Sequence, residues 1–189
     1  MRFFGATRSE AGKAMNDDAF VCLGNRAILL DGAGDARGAA KGCVDFLVAQ
    51  LEARPDMPLN ELIEIANHFL LGASQESTLL ALHVQGSALL TAASCGDSPL
   101  YLVHDGRFEQ MNEITKPRLG TLHPGIKHLA LPLRTSDVII GASDGLCVGS
   151  SRLLSAVQRT MLQPGSMPEA ILQEQRDSFD DVTLVCAVI

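Results

Sequence analysis

Short apolar runs of strand length recur along this chain, at residues 2–7, 19–23, 26–30, 78–84, 88–94, 100–104, 107–111, 138–142 and 182–188. Most alternate or are rich in β-branched residues, and turn-forming residues bound them. Between residues 30 and 78 the period lengthens. Ala40, Cys43, Val44, Leu47, Val48 and Leu51 fall at helical spacing, and so do Leu59, Leu62, Ile63, Ala66, Phe69 and Leu70, so each set shares one face of a helix. Pro55 closes the first helix, and Asp56 with Pro58 opens the second. A further helical pair is expected between Ser150 and Arg176.

Val84-Gln85-Gly86-Ser87 and His104-Asp105-Gly106-Arg107 each separate two strand-like runs, as tight hairpins require, and consecutive hairpins make antiparallel sheets. Strands in clusters, with the helices grouped apart, predict an α+β fold in which two antiparallel sheets pack as a sandwich between helical pairs, in layers α-β-β-α. No linker or repeat divides the chain, so residues 1–189 are expected to form one domain.

Composition narrows the function. The chain is 47% apolar and 20% charged with a formal net charge of −7, and its Lys and Arg are scattered singly, which offers no basic stripe to a nucleic acid. The longest uncharged stretch, residues 77–96, is broken by His83, Gln85, Gly86 and Ser87 and reads as a hairpin, not a membrane span. The N-terminus has no signal-peptide apolar region. Five cysteines without a CxxC fit small buried hydrophobes in a reducing compartment. A cytoplasmic protein, monomeric and without nucleic-acid or membrane partners, is the expectation.

Four acidic motifs stand beside strand-like runs: Asn16-Asp17-Asp18-Ala19, Asp31-Gly32-Ala33-Gly34, Ser143-Asp144-Gly145 and Asp180-Asp181-Val182-Thr183. Any one alone is an ordinary turn sequence. Asp105-Gly106 is such a turn, with the spacing of a type I′ hairpin, and stays outside the site. Carboxylates gathered on one rim repel one another unless a cation neutralises them. Oxygen ligands, including a backbone carbonyl such as that of Gly32, suit Mg²⁺ or Mn²⁺, while zinc would want His or Cys at ligand spacing, which the five histidines do not supply. A nucleotide loop at residues 31–38 is disfavoured: Gly32-x-Gly34-x-x-x-Gly38 is one residue longer than the dinucleotide fingerprint, and Lys41 is out of P-loop register.

The motif order resembles the metal-dependent protein phosphatases, the type 2C Ser/Thr (PPM) family, from residue 12 to residue 188. Asn16-Asp17-Asp18-Ala19 is similar to its Asn-Glu/Gln-Asp-Ala box, Asp31-Gly32-Ala33-Gly34 to Asp-Gly-x-Gly, and Ser77-Thr78-Leu79-Leu80-Ala81 to Thr-Thr-x-x-Ala. Gly96-Asp97-Ser98 is similar to Gly-Asp-Ser-Arg, Ser143-Asp144-Gly145-Leu146 to Ser-Asp-Gly-Leu, and Asp180-Asp181-Val182-Thr183 to Asp-Asn-x-Thr. The resemblance implies hydrolysis of phosphoserine or phosphothreonine on a protein substrate at two Mg²⁺ or Mn²⁺ ions. By it Asp31 bridges both metals and Gly32 offers its carbonyl. Asp144 and Asp180 complete one metal, Asp17 and Asp18 hold the other, and Asp97 with Asp144 holds a third, looser ion.

Three departures stand out. Lys13 occupies the place of the family's phosphate-holding Arg, with Arg8 as the other candidate, and a Lys gives a point charge instead of a bidentate fork. Pro99 also replaces an Arg. The Asp-Asp-x-Thr box and short length look like small bacterial members that act on anti-sigma antagonist and stress-complex proteins. Lys13 and Pro99 favour, as the runner-up, a pseudophosphatase that binds phosphoproteins without turnover. A two-metal cyclase or nucleotide hydrolase lacks any base-recognition or Walker signal.

Overall fold

In the computed structural model, which describes residues 1–13, 15–32, 38–86, 88–175 and 180–189, the strand-like runs pair into two antiparallel sheets. The first orders β1 (Phe4–Arg8), β10 (Val182–Val188), β9 (Val138–Ala142), β6 (Leu100–His104) and β7 (Arg107–Gln110). The second orders β2 (Asp18–Leu23), β3 (Arg26–Asp31), β4 (Leu79–Gln85), β5 (Leu89–Cys95) and β8 (Lys127–Pro132). Helices α1 (Ala39–Ala53) and α2 (Leu59–Gly72) precede β4, while α3 (Ser150–Thr160) and α4 (Met167–Glu174) precede β10.

Side-chain alternation explains the layers. Along β3, Ala27 and Leu29 point into the sandwich with Leu80, Leu82, Leu90, Ile139 and Val185. Ile28 and Leu30 point the other way and pack with Leu47, Leu62, Ile63, Ala66 and Leu70 of α1 and α2. Both faces of β3 are therefore apolar, which is why its sequence runs hydrophobic without a break. β9 and β10 do the same in the first sheet: Ile140, Ala142, Val182 and Leu184 meet Leu153, Val157, Ile171 and Leu172 of α3 and α4. The result is the expected α-β-β-α stack. Truncating a fully buried residue such as Leu29 or Leu80 would cost about 2–5 kcal/mol. Gly141 lies between the sheets, where a Cβ would stand 2.8 Å from Leu80 Cδ2 and 3.0 Å from Val185 Cγ2, so glycine permits the close approach.

The nine strand-like runs and both helical pairs form as expected, with ends shifted by a residue or two. Asp105 and Gly106 take φ values of 48° and 72°, the left-handed pair that a type I′ hairpin needs. Ser87 and Arg176 lie outside the described residues. β8 is a strand the hydrophobic pattern does not announce. Among the described residues it pairs with β5 alone and begins with exposed Lys127 and His128, so an edge position with one sheltered face hides its period. Cys43, Cys95 and Cys186 are buried as expected, but Cys147 is exposed because it follows β9 in the loop before α3. Among the described residues no helix is long and apolar enough to cross a membrane.

Candidate metal centre

Antiparallel pairing delivers the acidic motifs to one end of the sandwich. Asp18, the first residue of β2, pairs in register with Asp31, the last of β3. β4 starts beside them: Thr78 N–H donates to the Asp31 carbonyl at 2.9 Å, and Ser77 Oγ donates to the same oxygen at 2.7 Å. In the other sheet Ala142 pairs with Leu184, which sets Ser143 and Asp144 just beyond β9 next to Asp180 and Asp181 just before β10. Ser143 N–H donates to Thr183 O at 3.0 Å, and Thr183 N–H donates to Ser143 Oγ at 2.9 Å. Gly32 permits the tightest approach, because a Cβ there would stand 2.8 Å from the Asp17 carbonyl oxygen that its own N–H meets at 3.1 Å.

These carboxyls act on one another. Burial pushes Asp31 up to about 8, helped by the charges of Asp18, Asp144 and Asp180 and by a hydrogen bond shared with Asp144. Asp18 rises to about 6 through burial, with the hydroxyls of Ser143 and Thr183 opposing the rise and the charges of Asp181 and Asp180 adding to it. Asp144 is raised too, first by burial and then by Asp97 and Asp180. Among the described residues, Asp17 Oδ1 and Asp18 Oδ2 are buried and accept no hydrogen bond. An unsatisfied buried carboxylate oxygen is costly, and it is what a cation would relieve.

Among the described residues, Lys13 brings a cation into the cluster. Lys13 Nζ lies 3.0 Å from Asp181 Oδ2, 3.3 Å from Asp17 Oδ2 and 3.5 Å from Asp180 Oδ1. Burial alone would lower the Lys13 pKa, but hydrogen bonds and charge from Asp181 and Asp17 outweigh it and hold the ammonium on. Asp181 is buried and takes the backbone N–H of Asp17 at 2.7 Å and of Glu10 at 2.8 Å. Burial would raise its carboxyl, yet those N–H groups and Lys13 carry it below the usual range.

The family model of Stage II sporulation protein E (SpoIIE) matches residues 26–189. The chain belongs to the SpoIIE family. Its fold is that of the PPM Ser/Thr phosphatases. The SpoIIE-family chain is similar to the PPM Ser-Thr phosphatase MsPP from Mycobacterium smegmatis, solved in complex with cacodylate (22% identity, 97% of this chain and 96% of that one, TM-score 0.85). It is similar to the catalytic domain of PstP in complex with two manganese ions (21% identity, 99% and 98%, TM-score 0.77). It is similar as well to PppA of Pseudomonas aeruginosa, a regulatory component of the type VI secretion system (T6SS) there (19% identity, 100% and 99%, TM-score 0.80). No match was found among curated protein sequences.

Within this SpoIIE-family fold, Asp17, Asp18, Asp31, Gly32, Asp144 and Asp180 share one end of the sandwich, while Ala33 and Gly34 lie outside the described residues. Asp97, beyond the end of β5, acts on Asp144 and meets Arg118 Nη2 at 3.1 Å. Arg8 is exposed at the end of β1, opposite Val182. Lys13 is in the cluster, but bound to carboxylates and not free above it. Sequence reasoning missed Asp181 and Arg118. The one signal for Asp181 was the second Asp of the Asp-Asp-x-Thr box, and nothing in spacing marks Arg118. Among the described residues no group of three His, Cys, Asp or Glu side chains is already gathered as a ligand set. The donors nevertheless suit a hard cation: they are oxygens, and two are buried and unsatisfied.

Proposed function

We propose that this chain hydrolyses phosphoserine or phosphothreonine on protein substrates at two Mg²⁺ or Mn²⁺ ions. Asp31, Asp17, Asp18, Asp144, Asp180 and the Gly32 carbonyl would hold them. The observation that carries the reading is the pair of orphaned buried oxygens, Asp17 Oδ1 and Asp18 Oδ2, beside an Asp31 that stands opposite Asp18 in register. Family membership and the manganese-bound PstP fold support it. Bound ions of this kind supply an activated water and neutralise phosphoryl oxygens.

The chain's own residues do the positioning. β3 and β4 fix Asp31 through its backbone, and Asp181 sets the Asp17 backbone. Lys13, tied among carboxylates, acts in this reading as a counter-ion that holds the ligands in place. A phosphoprotein-binding module without turnover is the second reading, and one observation favours it: Lys13 already offsets part of the acidic charge. Turnover of para-nitrophenyl phosphate and a phosphothreonine peptide against Mn²⁺, Mg²⁺ and chelator separates the two. Hydrolysis that rises with Mn²⁺ and vanishes in chelator is expected, and binding of phosphopeptide with no hydrolysis under any metal would select the module.

A further inference from the structure

Asp97 already has a cation. Arg118 Nη2 reaches both of its carboxylate oxygens, at 3.1 Å and 3.4 Å, and Arg118 Nε is buried with no partner among the described residues. We infer that Arg118 is the resident counter-ion of Asp97, standing where a third cation would otherwise be held, so that this chain confines its rim to two ions. The inference rests on the two-metal reading above and assigns Asp97 away from the metals.

The backbone dictates the position of this guanidinium. Arg118 lies in the segment between β7 and β8, which is fastened on both sides of it. Upstream, Thr115 N–H donates to Gly96 O at 2.9 Å, and Gly96 N–H donates to Thr115 Oγ1 at 2.9 Å, one residue from Asp97. Downstream, Leu119 and Ser77 exchange backbone hydrogen bonds of 3.1 Å and 3.2 Å, and Ser77 in turn bridges to Gly32. Gly120 follows with φ 90°, where a Cβ would stand 1.8 Å from Gln75 O, so the chain passes there only as glycine. Arg118 is thus registered against the same backbone strip that carries Asp31 and Gly32.

A guanidinium stays charged at any working pH and spreads its donors in a rigid fork. A divalent ion entering at Asp97 would have to displace Arg118 Nη2 and leave a partly buried cation beside a second one, which like-charge repulsion opposes. The charge of Arg118 also falls on Asp144, the other residue expected to share a third ion. Arg118 therefore neutralises a carboxylate that the two ions do not use, whereas Lys13 sits among Asp17, Asp180 and Asp181.

The test is calorimetric titration of the metal-free full chain with Mn²⁺, read as stoichiometry. Wild type should take up two ions, and Arg118→Ala should gain a third, weaker one. Arg118→Lys should return to two, and so should the double variant Asp97→Asn/Arg118→Ala. Arg118→Gln, which keeps a hydrogen bond but loses the charge, should also bind three and serves where Arg118→Ala does not fold by circular dichroism. Three ions on wild type, or two on both uncharged Arg118 variants, would overturn the inference and leave the phosphatase reading standing. No uptake by wild type would overturn both.

Discussion

Lys13 Nζ and the Asp17 backbone N–H converge on one oxygen, Asp181 Oδ2, at 3.0 Å and 2.7 Å. The first acidic motif and the last, at opposite ends of the chain, are joined through that atom. The Asp181 side chain is 1% exposed and that of Lys13 32%, so the anion is the buried partner and the cation the solvated one. Losing the anion strands two backbone donors, whereas losing the cation strands only part of a charge that two N–H groups still satisfy.

Asp181→Ala should therefore cost about 3 kcal/mol, and Lys13→Ala about 1 kcal/mol. For a chain of this size that is a fall of roughly 2–4 °C per kcal/mol. The Lys13→Ala loss should shrink in saturating Mn²⁺, because bound ions take over the neutralisation. Thermal melts of both variants with and without Mn²⁺ check this, and a Lys13→Ala loss of equal size in the two conditions would deny it a counter-ion role.

Metal removal should be visible without any substrate. Ions that bind the native rim alone stabilise it by about 2.7 kcal/mol at a concentration of a hundred times Kd, a rise in Tm of roughly 5–10 °C. Melts in chelator, Mn²⁺ and Zn²⁺ should show the rise for Mn²⁺ and its loss in chelator. A melt indifferent to Mn²⁺ would contradict the donor set argued from Asp17, Asp18 and Asp31.

The fold was legible because its strands obey local rules: β6, β9 and β10 start and stop where the apolar runs do, and buried β3 reads as an uninterrupted one. The candidate site could be read as residue types at strand ends. What sequence could not convey is pairing between residues far apart. Asp181 reads as a neighbour of Asp180, yet its carboxylate is bound by Glu10, Lys13 and Asp17. Arg118 reads as one scattered cation, and the Thr115–Gly96 and Ser77–Leu119 pairings place it against Asp97. β8 escaped for the related reason that an edge strand with one sheltered side carries little period.

Gly32→Ala should damage the site more than the fold. Its Cβ would meet the Asp17 carbonyl oxygen at 2.8 Å, and both are backbone-fixed, so one of the two acidic segments must move. Displacing ligands by even a fraction of an ångström is expensive in a catalytic site, so kcat should fall by at least about tenfold. Gly149→Ala, where a Cβ meets nothing within 4 Å and φ is −63°, should leave kcat unchanged. Equal rates for the two variants would show that the close approach of Gly32 to Asp17 is dispensable.

Asp31 should be the least replaceable side chain of the rim. It closes β3, stands opposite Asp18, and has its carbonyl fixed by Thr78 N–H and Ser77 Oγ, so neither its position nor its neighbours can adjust to a substitution. Asp31→Asn keeps the shape and removes one buried acid from among Asp18, Asp144 and Asp180. In chelator that relieves repulsion, and the variant should melt no lower than wild type. In Mn²⁺ it removes charge that offsets the ions, so the Mn²⁺-induced rise in Tm should shrink or vanish and kcat should fall by at least about a hundredfold. Asp105→Asn, in the hairpin between β6 and β7, serves as the control and should change neither. The readouts are kcat at saturating Mn²⁺ and paired melts, with folding checked by circular dichroism. A folded Asp31→Asn that keeps more than about a tenth of wild-type kcat, an effect under ~1.4 kcal/mol, would mean that the hydrolytic centre lies elsewhere.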